Sequence, residues 1–247
     1  MKKIISYFAF FLMAYIVFII ATMPAQFALN QVTLPKTIKV SGVSGSIWHA
    51  NIDYVSTHII DVTDVNAELS VLSLFTLSPS FDITLGDPLK RGPEGYLTLN
   101  VASNSLAIEN AKINIAVNDV LKNAQLPIDL TAKGYIELEI EKFSAGKPMC
   151  QTLSGKLNWP KAKIKAFDQA VALGTLKATL GCENGALAVA INENNNLGLS
   201  YTAYMRQVGK FTGDGFIKPG TKFPENVKPI LSFLGKPDGQ GRYRLSL

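Results

Sequence analysis

The sequence predicts a mainly β protein, in which an N-terminal transmembrane helix is followed by a curved antiparallel β-sheet or sandwich with two short helices. Two patterns support this: a long apolar stretch near the N-terminus, and a repeated alternation of apolar and polar residues after it. The composition agrees, since 47% hydrophobic and 17% charged residues among 247 exclude a disordered polyelectrolyte.

The apolar stretch runs from Ile4 to Met23 without a charged residue and follows Lys2 and Lys3. At about 1.5 Å per residue, a helix of this length spans roughly 30 Å, the thickness of a bilayer core. A cleavable signal peptide is the alternative, but its apolar region runs about 7 to 15 residues and ends in small residues. Because Met23 and Pro24 occupy the candidate cleavage positions, an uncleaved signal anchor is favoured.

The anchor sets the predicted organisation of the chain. The two lysines before it place the N-terminus in the cytoplasm and the remaining chain outside it. We therefore expect a cytoplasmic tip and anchor over residues 1–23, a proline-bracketed linker over 24–35 and an exported β domain over 36–247. A glycine and proline cluster near residues 142–149 marks two possible halves, 36–142 and 150–247.

The clearest strand signal lies between Gly134 and Phe143. Its apolar residues Ile136, Leu138 and Ile140 alternate with Glu137, Glu139 and Glu141. Strict alternation is typical of a half-buried strand in an antiparallel sheet. The pattern recurs along the chain, and a glycine precedes most of the runs, which predicts a series of hairpins.

Two segments have helical spacing instead. The first covers residues 116–126 and stops at Pro127; the second covers residues 224–235 and ends at Gly235. Between residues 106 and 117 the apolar phase changes from even to odd positions, which predicts a bulge or turn near Asn110.

The charge and the motifs exclude several classes of function. The chain has 24 basic and 19 acidic residues; without the two N-terminal lysines the excess is small and unclustered, so nucleic acid is not an expected partner. Signatures of hydrolases, nucleotide-binding proteins and zinc proteases are missing, so we predict no enzyme, catalytic residue, cofactor or metal. His49 and His58 are interpreted as strand residues, and the Glu137, Glu139 and Glu141 row as a solvated face rather than a cation site.

The two cysteines, Cys150 and Cys182, both lie in the exported part, where disulfides persist. A metal site would need two further ligands, so a disulfide is favoured. Closing a loop of about 30 residues stabilises a fold by roughly 3 to 4 kcal/mol.

A basic row follows at Lys161, Lys163 and Lys165, alternating with Ala162 and Ile164. It is a possible interaction face for an acidic partner or for lipid headgroups. Two alternatives remain open: a charged sheet edge that prevents strand addition, and a row that pairs with the glutamates of the neighbouring strand, each opposed pair contributing roughly 0.2 to 1 kcal/mol.

The stretch VSGVSGSIWHA, residues 40–50, has the form of a small active-site loop, yet it also fits the start of a β-sheet. We favour the structural interpretation, in which Gly42 and Gly45 bend the chain and Trp48 packs an apolar ring onto the sheet. A buried ring at this position predicts a loss of about 3 to 5 kcal/mol for Trp48→Ala.

This Gly42, Gly45 and Trp48 pattern, close behind a signal anchor, resembles the N-terminal signature of protein N of the type II secretion system of Gram-negative bacteria. The segment with Gly155 and Trp159 is similar to a central motif of that family, and residues 231–247 are similar to its ending. The helix before Pro127 also corresponds, so the resemblance covers nearly the whole chain.

The resemblance implies a non-enzymatic, single-pass inner-membrane protein with a periplasmic β domain that assists export of folded proteins across the outer membrane. Its implied partners are other secretion components: the inner-membrane platform, the secretin or pseudopilus proteins. The chain is also distantly similar to AsmA-type periplasmic proteins, which implies lipid binding or lipid handling as an alternative.

Overall fold

The structure is a computed structural model. It describes residues 2–31, 38–57, 60–76, 78–87, 92–102, 105–123, 130–166, 169–208 and 210–246. The predicted residues His58, Leu126 and Pro127 lie outside these ranges.

The elements follow the predicted order, with helices at both ends of a long series of strands. The helices are α1 (Lys2–Thr22), α2 (Ala25–Asn30), α3 (Val117–Asn123) and α4 (Lys228–Leu231), with 3₁₀ helices at Val71–Thr76, Glu225–Val227 and Ser232–Leu234. The strands are β1 (Lys39–Gly45), β2 (His49–Ser56), β3 (Asp61–Leu69), β4 (Ser80–Leu85), β5 (Glu94–Ala102), β6 (Ser105–Ala116), β7 (Leu130–Lys133), β8 (Tyr135–Ala145), β9 (Cys150–Ala166), β10 (Gln169–Glu183), β11 (Ala186–Ile191), β12 (Leu199–Gln207), β13 (Lys210–Ile217) and β14 (Tyr243–Ser246).

Within the described ranges these strands form one 14-stranded antiparallel sheet. Neighbours in the sheet are neighbours in sequence, except that β6 pairs with β8 while the short β7 pairs with the last residues of β9. The sheet is not closed, and β1 and β14 are its edges. The structure thus confirms the mainly β class as one sheet rather than a sandwich, and the two predicted halves share it through the β8–β9 pairing.

Helix α1 ends at Thr22, one residue before the predicted end of the span. Of the helices described, it is the one long and apolar enough to cross a membrane, over Ile4–Thr22, and none of that span is buried against the sheet.

The segment predicted as a linker begins with a short helix. Ala25 of α2 is buried, Pro24 forms a β-bridge with Ser46, and the Ile47 N–H donates to the Met23 carbonyl at 3.0 Å. The chain that leaves α1 is therefore bonded directly to the β1–β2 turn. We call this end of the strands the anchor end and the opposite end the distal end.

The register separates the two faces of the sheet. Leu138 lies opposite Ile113 on one side and Leu157 on the other, so apolar residues of successive strands share one face. Glu139, the next residue along β8, belongs to the other face, where it lies opposite Lys112 and Lys156. The predicted irregularity near Asn110 is confirmed: its φ is 51° and the β5–β6 register shifts there.

The best-buried cluster lies on the apolar face at the distal end, around the turn between β9 and β10. Ala162, Val171 and Leu173 form its centre, each at most 7% exposed. The second predicted helical segment, which consists of α4 and the two flanking 3₁₀ helices, covers the cluster: Val227 packs against it, and Asn226 Nδ2 donates to the Ala170 carbonyl at 3.2 Å.

Candidate functional site

The apolar face carries a groove toward the anchor end, where no helix covers it among the described residues. Its volume is 330 Å³ and every residue lining it is apolar. The lining comes from seven strands, β6 and β8 to β13, and comprises Ile108, Leu138, Ile140, Phe143, Leu153, Leu180, Leu187, Val189, Ala203, Met205 and Phe211.

The groove follows from strand alternation and from small residues in one row. Ile140 lies opposite Gly155, and Gly155 opposite Leu180. Gly155 is buried, and a Cβ there would lie 2.6 Å from the Glu139 carbonyl oxygen and 3.2 Å from Leu180 Cδ1. A side chain at this position would therefore fill the floor. Gly155 lies inside the continuous strand β9.

The other face of the same strands is polar and half exposed. Lys112 Nζ lies 3.1 Å from Glu139 Oε1, and this hydrogen bond with Glu139 raises the pKa of Lys112. Asn158 donates to Glu137, and Ser154 to Glu141, each at 2.8 Å. The glutamate row is thus engaged with neighbouring strands, and among the described residues no three His, Cys, Asp or Glu side chains gather as a metal site.

The lysine row does not lie where the two alternative interpretations put it. Lys163 pairs with Lys133 of β7 and with Ala172 of β10, so this part of β9 has neighbours on both sides and is not an edge. The glutamates lie opposite Lys156 and Asn158, so the predicted pairing of the two rows is wrong in register. Lys161 sits at a bulge with φ 49°. All three lysines are exposed, and their role as an interaction face stays a prediction.

The opening stretch forms a strand pair rather than a catalytic loop. Gly42 and Gly45 have φ values of 68° and 82°, and a Cβ on Gly42 would collide with the Asp53 carboxylate. Both glycines are required by the backbone. Trp48 is half-buried, so we expect Trp48→Ala to cost less than the loss predicted above for a fully buried ring. His49 is exposed, with Nε2 3.9 Å from Glu68 Oε1.

Trp159 joins the distal cluster instead of the groove. Its ring packs against Ala162, Val171 and Leu173, and Nε1 donates to the Lys133 carbonyl at 3.2 Å. A Cβ on Gly134, whose φ is 105°, would lie 3.2 Å from that nitrogen. The indole therefore lies close against the backbone at Gly134, the residue between β7 and β8.

The predicted disulfide is present. Cys150 and Cys182 are bonded, with their Cα atoms 6.1 Å apart. The bond joins β9 to β10 at the anchor end, beside the groove.

The groove was not predicted from the sequence, although some of its residues, such as Leu138 and Ile140, are apolar members of a predicted strand. The alternation of apolar and polar residues in each strand carries the necessary information. Pairing the strands in sequence order would have placed the apolar residues on one face. The apolar 3₁₀ helix Val71–Thr76 was also missed, because it follows neither the strand nor the α-helical period.

Comparisons with known proteins agree with one another. A family described as "Type II secretion system (T2SS), protein N" matches residues 36–246. The chain is 29% identical to type II secretion system protein N of Aeromonas hydrophila, over 99% of this chain and 98% of the relative. It is 24% identical to the protein of that name from Vibrio cholerae, over 98% and 97% of the two chains. The relative from Pectobacterium carotovorum is 23% identical, over 95% and 92%. No solved structure matches the chain.

Proposed function

Because this chain belongs to the type II secretion system protein N family, we propose that it is a non-enzymatic, inner-membrane-anchored periplasmic component of the secretion machinery that assists export of folded proteins across the outer membrane. The architecture is that of an anchored binding module. The observation that carries the proposal is that the residues directly after α1 are bonded to an open sheet with an apolar groove, in a chain that the family matches over residues 36–246.

The anchoring rests on α1. Its 21 residues span roughly 30 Å at about 1.5 Å each, which matches a bilayer core. The lysines before the span favour a cytoplasmic N-terminus. A disulfide between Cys150 and Cys182 fits an oxidising periplasm, since such bonds seldom persist in the cytosol.

Contacts with other secretion components are available at two kinds of surface. Strands β1 and β14 are the two ends of the sheet among the described residues, and such edges can accept an added strand. The Lys161, Lys163 and Lys165 row offers exposed positive charge for an acidic partner. The inner-membrane platform, the secretin and the pseudopilus proteins are the components we expect.

A binding role is favoured over an enzymatic one by the chemistry of the groove. The lining holds no side chain able to transfer a proton or attack a carbonyl. A catalytic site needs several polar groups that converge on a reacting atom.

Photocrosslinking in living cells tests the proposal. A photoreactive amino acid is placed in turn at Glu139 on the polar face, Lys163 in the lysine row and Arg244 in β14, and adducts are identified by mass spectrometry. We expect adducts with secretion components from at least one position. They should disappear in cells that lack the machinery, and the oxidised disulfide on a non-reducing gel reports that each variant is folded. Folded variants that give no such adduct from any position contradict the proposal.

A second candidate function, lipid binding, is favoured by one observation: the groove is lined by apolar side chains alone. Its 330 Å³ lies at the lower end of the range of about 300 to 1,000 Å³ typical of small-molecule sites. An acyl chain is the ligand that such a lining would take, since it needs no polar partner.

Adjacent residues of β11 provide a matched test. Val189 lines the groove, whereas Ala190 lies on the opposite face, paired with Thr179 and Thr202. Lipid that co-purifies with the protein in mild detergent should be lost in Val189→Glu and kept in Ala190→Glu. Equal lipid content in two folded variants would exclude the groove as the lipid site.

A further inference from the structure

We propose that the 3₁₀ helix Val71–Thr76, which follows β3, inserts into the surface of the membrane that holds α1, as a second point of attachment. We call the 3₁₀ helix Val71–Thr76 the apolar tip. The inference rests on the proposed anchoring and adds a second membrane contact, which the sequence motifs did not predict.

The apolar tip exposes large hydrophobic side chains at the end of a connection. Val71, Leu72, Leu74 and Phe75 are 55%, 78%, 38% and 83% exposed. The sequence from Leu69 to Phe81 has no charged residue. A contiguous apolar surface without a charge is unusual on a water-facing loop and marks a site of contact with a partner or a membrane.

The polar groups of the apolar tip are bonded to one another. Ser73 Oγ donates to the Ser70 carbonyl at 2.5 Å and accepts from the Ser80 N–H at 2.8 Å. Thr76 Oγ donates to the Ser73 carbonyl at 2.8 Å, and the Ser70 N–H donates to the Ser80 carbonyl at 2.9 Å. Hydroxyl and backbone groups that enter a bilayer must be paired internally. The bonds pair the hydroxyls of Ser73 and Thr76 within the connection, while the large apolar side chains are exposed.

The apolar tip lies close to the end of α1, which favours the bilayer over another partner. The Ile47 N–H donates to Met23, directly after α1, and the Leu69 N–H donates to the Trp48 carbonyl, both at 3.0 Å. This path places Val71 within about 25 Å of the end of α1, from standard Cα and strand spacings. Half-buried Trp48 lies between the two along this path, and tryptophan is enriched at the membrane–water interface.

A fluorescence experiment on the full chain tests the inference. Both native cysteines are in the disulfide, so a single introduced cysteine can be labelled with an environment-sensitive dye. Phe75→Cys reports the apolar tip. Phe233→Cys is the matched control, because Phe233 is 86% exposed in the 3₁₀ helix at the distal end. Phe11→Cys, in the middle of α1, reports the anchor.

The protein is reconstituted into vesicles of phosphatidylethanolamine and phosphatidylglycerol that carry nitroxide-labelled phospholipids. For position 75 we expect a blue-shifted emission and strong quenching by nitroxides near the headgroups, corresponding to a depth of about 5 to 10 Å. Position 233 should keep the emission and quenching of a dye in water.

The outcomes separate the two proposals. If position 11 is quenched from the bilayer centre while position 75 behaves like position 233, the anchoring stands and this inference is wrong. If position 11 is not quenched, the anchoring itself is wrong and the inference falls with it. A photoreactive residue at position 75 supplies an independent check in cells: phospholipid adducts support insertion, whereas adducts with a protein alone would overturn it.

Discussion

The two ends of the apolar face are stabilised in different ways. At the distal end, Leu173 and its neighbours are covered by the segment around Val227. At the anchor end, the same face is an open groove whose rim includes Phe211, still 60% exposed. Packing stabilises the covered end, whereas a disulfide joins the strands at the open end. A surface kept open for a ligand or a partner gives up packing energy, and the covalent bond compensates for part of that loss.

The largest expected effect comes from removing the disulfide. Replacing Cys150 and Cys182 by alanine should lower the free energy of unfolding by about 3 to 4 kcal/mol, because the unfolded chain regains the freedom of a long loop. Urea denaturation of the domain measures the loss. Hydrogen exchange should show the loss of protection in β9 and β10 concentrated at the anchor end. Reduction of the native protein is the control and should reproduce the loss; uniform exchange along both strands would contradict the comparison.

A matched pair of leucines tests the packing difference directly. Leu173→Ala in the covered cluster should cost about 3 kcal/mol, since buried leucines lose contacts and leave a cavity. Leu187→Ala in the groove should cost less, about 1 to 2 kcal/mol, because that side chain is only partly buried and the groove beside it is open. Thermal and urea unfolding measure both. Equal losses would mean that the groove is as tightly packed as the cluster.

Much of this architecture was accessible from the sequence. The alternation from Ile136 to Glu141 predicted β8, and two cysteines in a domain expected to be exported predicted the disulfide. The register was not accessible, because it depends on where the turn between β8 and β9 falls, and this turn places Glu137 and Glu139 opposite Asn158 and Lys156, before the lysine row begins. The residues that line the groove could not be predicted one by one either. They depend on which strands pair, and on the position of Gly155 between Ile140 and Leu180 in the floor.

The two tryptophans extend the comparison to aromatic side chains. Trp159→Ala should cost about 3 kcal/mol, because the ring packs on the distal cluster and its N–H has a carbonyl partner. Trp48→Ala at the anchor end should cost about 1 to 2 kcal/mol in detergent, in keeping with a half-buried ring. Denaturation monitored by far-UV circular dichroism avoids the loss of the fluorescent probe. A larger loss for Trp48 than for Trp159 would reverse the proposed difference.

The smallest effect is expected on the polar face behind the groove, at the Lys112–Glu139 pair. Hydrogen bonding to Glu139 raises the pKa of Lys112 above 10.5, so its contribution to stability is complete below that pH. The contribution is lost as the pH rises through the folded pKa, when the ammonium loses its proton. Lys112→Met should therefore lower the urea midpoint slightly at neutral pH and low salt, and the difference should vanish at high salt, which screens exposed charges. Lys210→Met, which removes an exposed lysine elsewhere, controls for net charge. A loss as large as that of Leu173→Ala would show that the polar face, too, stabilises the open end of the sheet.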